Sequence, residues 1–175
     1  RGLKRGDHIA LIGDNRPRLY ASMIAAQCLG AIPVPMYQDA VAAEMVYVFR
    51  DASIRIAVVE NQEQTDKVLE IREQCPQLSD IIYDDDRGLR NYQQSGIESI
   101  DALLEAGALY EQAHPGKVRQ AIDEGGFHDD CAMFYTSGTT GDPKGVVYNH
   151  RGAAINAISN ILEWDMPKQI GRAHV

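Results

Sequence analysis

"HIALIGDNRPRLYASMIAAQCLGAIPVPMY", His8 to Tyr37, is the stretch on which the fold turns. It begins with a short apolar run closed by Gly13, Asp14 and Asn15, the pattern of a buried strand and its exit turn. Pro17 then suits the first turn of a helix, Asn15 is the expected N-cap, and Gly30 stands just past the helix end. Leu19, Met23 and the Ala25/Ala26 pair fall on one helical face. "AIPVPMY" (Ala31 to Tyr37) must be extended, because its two prolines allow no helix and suit an edge or irregular strand. Strand, helix, strand in so short a span is the unit of a parallel sheet with crossover helices.

The alternation continues outward. Asp39 precedes a helix on which Val41, Met45, Val48 and Phe49 recur at helical spacing. "IRIAVVE" (Ile54 to Glu60) is β-branched and nearly continuous, which predicts a strand buried on both faces. "NQEQTDKVLEIREQCP" is a helix with Val68, Ile71 and Cys75 inward and Pro76 as its stop. "SDIIYDDD" is another strand, and "RGLRNYQQSG" a polar surface loop. Ile97 to about Gly125 carries helical periodicity through Ile100, Leu103 and Leu104, interrupted at His114-Pro115-Gly116. "DCAMFYTSG" and "GVVYNH" are the last strands, and "HRGAAINAISNILEW" is the last helix. The expected fold is α/β, a layered and mostly parallel sheet with flanking helices, with about five or six strands.

Composition bounds the function. The chain has 175 residues and is 45% hydrophobic, enough for one domain with a sizeable core. No apolar run approaches the roughly 20 residues of a bilayer span, and no secretory signal opens the sequence. A formal net charge of -8 with scattered Lys and Arg argues against nucleic acid as a partner. Cys28, Cys75 and Cys131 are far apart and lack metal-ligand spacing, which suggests packing roles in a reducing compartment.

The chemistry concentrates in "FYTSGTTGDPKGVVYNHRG", Phe134 to Gly152. Gly138 and Gly141 permit backbone conformations in which successive N–H groups converge on an anion. Thr136, Ser137, Thr139 and Thr140 add hydroxyl donors, and Lys144 supplies one mobile positive charge suited to a terminal phosphate. Together they describe a polyphosphate cradle. The G-x-x-x-x-G-K-[ST] loop is absent, because Pro143 stands where its second glycine would fall counting from Gly138. A strand rather than a helix is expected after the loop, so hydroxyls and Lys144 must do more of the anion binding than any helix dipole. The competing reading is a polar hairpin turn, but hairpins need only two to five residues and one glycine.

"YTSGTTGDPKGVVYNH" resembles the phosphate-loop signature of the adenylate-forming enzymes, which include acyl-CoA synthetases, luciferase-type enzymes and peptide-synthetase adenylation domains. Nine matching positions at a background of about 6% each would coincide by chance on the order of 10⁻¹¹ per starting point. The upstream segment "GLKRGDHIALIGDNRPRLYASMIAAQCLGAIPVPMYQDAVAAEMVYVFRDASIRIAVVEN" is similar to the same superfamily, nearest to bacterial long-chain fatty-acid CoA ligases. The resemblance implies that a carboxylate attacks the ATP α-phosphate and that CoA then displaces AMP. It also implies that Ser137, Gly138, Thr139, Thr140, Gly141 and Lys144 embrace the β- and γ-phosphates, with Thr136 approaching Mg²⁺. Long-chain fatty acid and CoA are the implied small-molecule partners, and the implied location is cytoplasmic or peripheral at the inner membrane. An aryl-CoA ligase, an adenylation domain or a noncatalytic nucleotide-binding module are the alternatives.

In that family the adenine and ribose contacts, the glutamate sharing Mg²⁺ and the catalytic lysine of a mobile C-terminal domain lie downstream of the loop. The chain is therefore expected to be a piece of the N-terminal AMP-binding domain, residues 1–169, inactive without its C-terminal part. "IGRAHV", Ile170 to Val175, matches one reading frame of a common sequencing-library adapter and is expected to be a non-native tail. Asn149 stands where Ser or Thr is more usual in the family, and caps a helix equally well. Blander roles are expected elsewhere. His150 packs or caps at a helix start, and His8, His114 and His128 share no ligand spacing. Asp84-Asp85-Asp86 is a solvated turn, Tyr135 packs at a strand end with ligand contact as the alternative, and Trp164 is core or an interface with the rest of the protein.

Overall fold

The computed structural model describes residues 1–136 and 142–164. Five strands form a parallel sheet in the order β2-β1-β3-β4-β5, comprising β1 (His8–Ile12), β2 (Ile32–Met36), β3 (Ile56–Val59), β4 (Asp80–Tyr83) and β5 (Ile97–Ser99). From β1 the chain steps one way to β2 through α1 (Pro17–Cys28). It then crosses back through α2 (Ala42–Asp51) to β3, and on through α3 (Gln62–Ile71) to β4. Right-handed crossovers running in opposite directions put their helices on opposite faces of the sheet. Side-chain alternation matches this: Ala10 and Ile12 of β1 join Met45, Phe49, Val68 and Ile71 on the α2/α3 side, while Ile9 and Leu11 join Leu19, Ala26 and Ile100 on the other. A strand covered twice has no polar face, which is why β3 is buried at all four residues.

Val68 and Ile71 are buried on α3 as expected; Cys75 is buried as well, but past the 3₁₀ turn Arg72–Gln74 that follows α3. The N-cap of α3 is Asn61, whose side chain accepts from the Gln64 amide. Three details differ from the sequence reading. The N-cap of α1 is Arg16, because Pro17 occupies the first helical position; Asn15 instead accepts the Tyr20 hydroxyl proton at 2.9 Å. Ile97 to Ser99 is not helical but the short strand β5, and α4 (Ile100–Ala113) begins only at Ile100, with Ser99 as its cap. Val41 is not on the buried face of α2 but at its exposed N-cap. The break at His114-Pro115-Gly116 is present, with left-handed Gly116 leading into α5 (Lys117–Asp123).

The final strands also depart from the expected single sheet. β6 (Asp130–Thr136) and β7 (Lys144–Asn149) pair with each other, antiparallel, as a separate two-stranded sheet. β6 lies alongside β2, but β2 has no amide hydrogen at Pro33 or Pro35. The Ile32 amide donates to Asp7 in the β1 direction, so by alternation the proline nitrogens face the free edge and offer no donor to a further strand. That supports the edge reading of this segment.

After β7, α6 (His150–Glu163) is capped by Asn149, whose side chain accepts from the Gly152 amide at 2.7 Å. Asn149→Ala is expected to cost about 1 kcal/mol, measured as a lower urea midpoint at constant m; an unchanged midpoint would show that the capping bond carries none of the stability. No helix among the described residues is long and apolar enough to cross a membrane.

Candidate functional site

Thr136 closes β6 and Lys144 opens β7, and the two are register partners, the last pair before the connecting residues. Thus the antiparallel strands bring together two of the proposed phosphate ligands, both exposed. Ser137, Gly138, Thr139, Thr140 and Gly141 lie outside the described residues. The strand expected after the loop is present, and the next helix begins only at His150. The polar-hairpin alternative had the strand pairing right, since the connection does join antiparallel neighbours; pairing and an anion-binding loop are compatible.

One register step back, Tyr135 faces Gly145. A Cβ built on Gly145 would lie 3.2 Å from Tyr135 Cζ and 3.0 Å from Met133 Sδ, so the bare glycine admits both side chains. The Tyr135 hydroxyl donates to Asp51 Oδ2 at 2.5 Å, and Tyr47 meets its ring edge-on with centroids 6.5 Å apart. Burial first, and then the Asp51 carboxylate, push the Tyr135 phenol well above its ordinary pKa, so it remains a donor throughout the working pH range.

A second polar region sits at the carboxyl ends of β1, β3 and β4. Glu60, only 7% exposed, accepts from the Asp14 amide at 2.6 Å and from Arg16 Nε at 2.9 Å. Gly13 makes this closure sterically feasible: its φ is +154°, and a Cβ there would stand 2.5 Å from Glu60 Cβ. Asp84 pairs with Arg18, and Asp85 is gripped by Arg87, whose hydrogen bonds hold its carboxyl down to about 2. Asp84 and Asp85 are thus half-buried and neutralised by arginines, and of the three aspartates expected in a solvated turn only Asp86 is exposed. Among the described residues no three His, Cys, Asp or Glu gather as a metal site. Thr136, the residue expected to approach Mg²⁺, offers a single exposed hydroxyl at the end of β6.

His150 is the first residue of α6, where its amide donates to the Asp129 carbonyl at 3.1 Å, and it lines a hollow of about 400 Å³ with Cys28, Ile122 and Phe127. His114 stacks on Tyr110 with centroids 4.3 Å apart. Trp164, expected in core or interface, is 73% exposed here. The Tyr135–Asp51 bond and the Arg16–Glu60 pair had no signal in residue spacing, since their partners are 84 and 44 positions apart.

The family model for AMP-binding enzymes matches residues 1–172, and the chain belongs to that family. Among its relatives, 4-hydroxybutyrate CoA ligase 2 of Metallosphaera sedula is 30% identical over 168 residues, covering 95% of this chain and 29% of the relative. A long-chain-fatty-acid CoA ligase of Rattus norvegicus is 29% identical over 147 residues, covering 83% of this chain and 20% of the relative. Among solved structures, the anthranilate CoA ligase AuaEII in complex with anthranoyl-AMP superposes with a TM-score of 0.67 at 23% identity, over 90% of this chain and 27% of that one. The chain thus spans less than a third of the length of these proteins.

Proposed function

We propose that this chain is part of the N-terminal AMP-binding domain of an AMP-forming acid–thiol ligase, which adenylates a carboxylate with ATP and transfers the acyl group to CoA. The observation that carries the reading is the pairing of Thr136 with Lys144 at the mouth of the "TSGTTGDPKG" segment, in a chain of the AMP-binding family. In this reading Ser137, Gly138, Thr139, Thr140, Gly141 and Lys144 hold the β- and γ-phosphates. Their role is to position the nucleotide and offset charge on departing pyrophosphate, without covalent chemistry. Thr136 would hold Mg²⁺, which when bound would neutralise phosphate charge.

Residues 1–169 form this partial domain, and the remainder of the longer protein completes the nucleotide site. The exposed apolar side chains of the last elements support that: Phe134, Val146, Val147 and Tyr148 on the hairpin, and Ile155, Ile158, Ile161, Leu162 and Trp164 on α6. So large an apolar surface is the mark of an interface. Residues 170–175, outside the described residues, are the proposed non-native tail; sequencing an independent clone past the Gln169 codon tests it.

For the acid we favour a long-chain fatty acid, a reading supported by the rat relative; the name of the Metallosphaera sedula relative favours 4-hydroxybutyrate instead. ATP–pyrophosphate exchange by the full-length protein, with palmitate, 4-hydroxybutyrate and benzoate in parallel, separates these. Palmitate is expected to give the highest kcat/KM. Preference for 4-hydroxybutyrate or benzoate would overturn the chain-length assignment, and exchange with amino acids alone would overturn the acid–thiol ligase.

A further inference from the structure

We infer that Tyr135 is a positioning residue for the nucleotide chemistry, its hydroxyl pinned to Asp51 so that the base of the phosphate loop is registered against the five-stranded sheet. The inference rests on the proposed ligase function. It starts from how the hairpin is attached. Because β6–β7 is a separate sheet, no backbone ladder fixes its loop end relative to β2. Side chains make the connection instead. Arg5 pairs with Asp129 at 3.1 Å, and Gln27 Nε2 donates to the Cys131 carbonyl at 2.8 Å. Both ties sit at the start of β6. From Cys131 to Tyr135 the strand advances about 13 Å at 3.3 Å per residue, and there Tyr135 meets Asp51.

The anchor at the far side of this bond is firm. Asp51 is the last residue of α2, two positions beyond Phe49, which is fully buried in the core. The near side is equally constrained. The Tyr135 ring lies over Gly145 and edge-on to Tyr47, so the hydroxyl has little room to move without moving the strand. The very next register pair is Thr136 and Lys144. A pivot of the hairpin about its distal ties would displace these two groups further than any earlier register pair, and displacement of catalytic groups by about 1 Å can cost as much as about 10²-fold in rate. A tyrosine serving only to fill space would need the ring and not the hydroxyl.

The test uses the full-length ligase and four variants: Tyr135→Phe, Asp51→Ala, Asp51→Asn and the Tyr135→Phe/Asp51→Ala double. Tyr135→Phe and Asp51→Ala should each lower kcat/KM for ATP in pyrophosphate exchange by about tenfold, with the KM for the carboxylic acid unchanged. The double variant should lose no more than either single, because one shared bond is removed. Asp51→Asn keeps an acceptor oxygen and should recover most of the activity. Hydrogen exchange of the peptide spanning Lys144 to Asn149 should speed up in Tyr135→Phe while the five-stranded sheet keeps its protection. Single-variant losses that multiply in the double, or a hairpin exchange rate unchanged in Tyr135→Phe, would overturn the inference. Wild-type protein inactive with every carboxylic acid would overturn the ligase reading instead, and the hydrogen-exchange comparison would still decide whether the bond positions the loop.

Discussion

Lys144→Ala in the full-length ligase is expected to reduce kcat/KM for ATP in pyrophosphate exchange by about 10²- to 10³-fold, with the fold intact by circular dichroism. Lys144 opens an exposed strand edge, so removing its ammonium leaves no buried partner stranded and no cavity. The loss therefore falls on nucleotide chemistry alone. Among the described residues no helix begins directly after the loop, since β7 intervenes and α6 starts at His150. Hydroxyl dipoles remain, but a neutral donor offsets far less of the charge growing on departing pyrophosphate than a cation does. Lys144→Arg keeps the charge while changing reach and shape, and should recover part of the loss. Activity of Lys144→Ala within threefold of wild type would remove Lys144 from the phosphate site and with it the main support for the cradle.

How much of this was legible beforehand depends on whether the physics is local. The strand–helix–strand unit of His8 to Tyr37 is written in local terms: an apolar run, a proline at the first helical turn, a glycine after the last. The inward face of α3 follows from helical period alone. β5 was illegible because it offers a single apolar residue, Ile97, before a helical pattern that starts at Ile100; only pairing with β4 makes it a strand. Asn15 lost the capping role to Arg16 because the position of Pro17 sets where the helix begins, overriding side-chain preference. The separate hairpin was illegible for a related reason. Apolar residues in β6 and β7 signal strands, but which edge they join is decided by the missing donors of Pro33 and Pro35 elsewhere in the chain. In the candidate site, residue types and spacing pointed to a polyphosphate, whereas Asp51, which steadies its base, carries no motif.

α2 supplies the largest expected stability effect and shows why period alone misjudges a face. Val41, Met45, Val48 and Phe49 recur at helical spacing, yet Val41 is 54% exposed while Phe49 is fully buried. Val41 precedes the first helical residue, where the chain is still extended, so its side chain does not follow the helical face. Phe49 sits in the last turn of α2, in the same buried core as Val34, Met45, Ala57, Val59 and Ile71, and its carbonyl accepts from the Ile54 amide and from Gln77 Nε2. Phe49→Ala should therefore cost about 3–5 kcal/mol through lost burial and the cavity left behind. Against a total stability of about 5–15 kcal/mol, that is enough to unfold a marginal domain. Val41→Ala should stay within about 0.5 kcal/mol. Urea titration of the two variants beside wild type measures both, with the shift in midpoint at constant m giving the difference. Equal costs at the two positions would mean that Val41 is buried in the working protein, and would place an additional covering segment over the start of α2. A Phe49→Ala cost under 1 kcal/mol would mean that the core around Met45 and Ile71 can close over the lost ring.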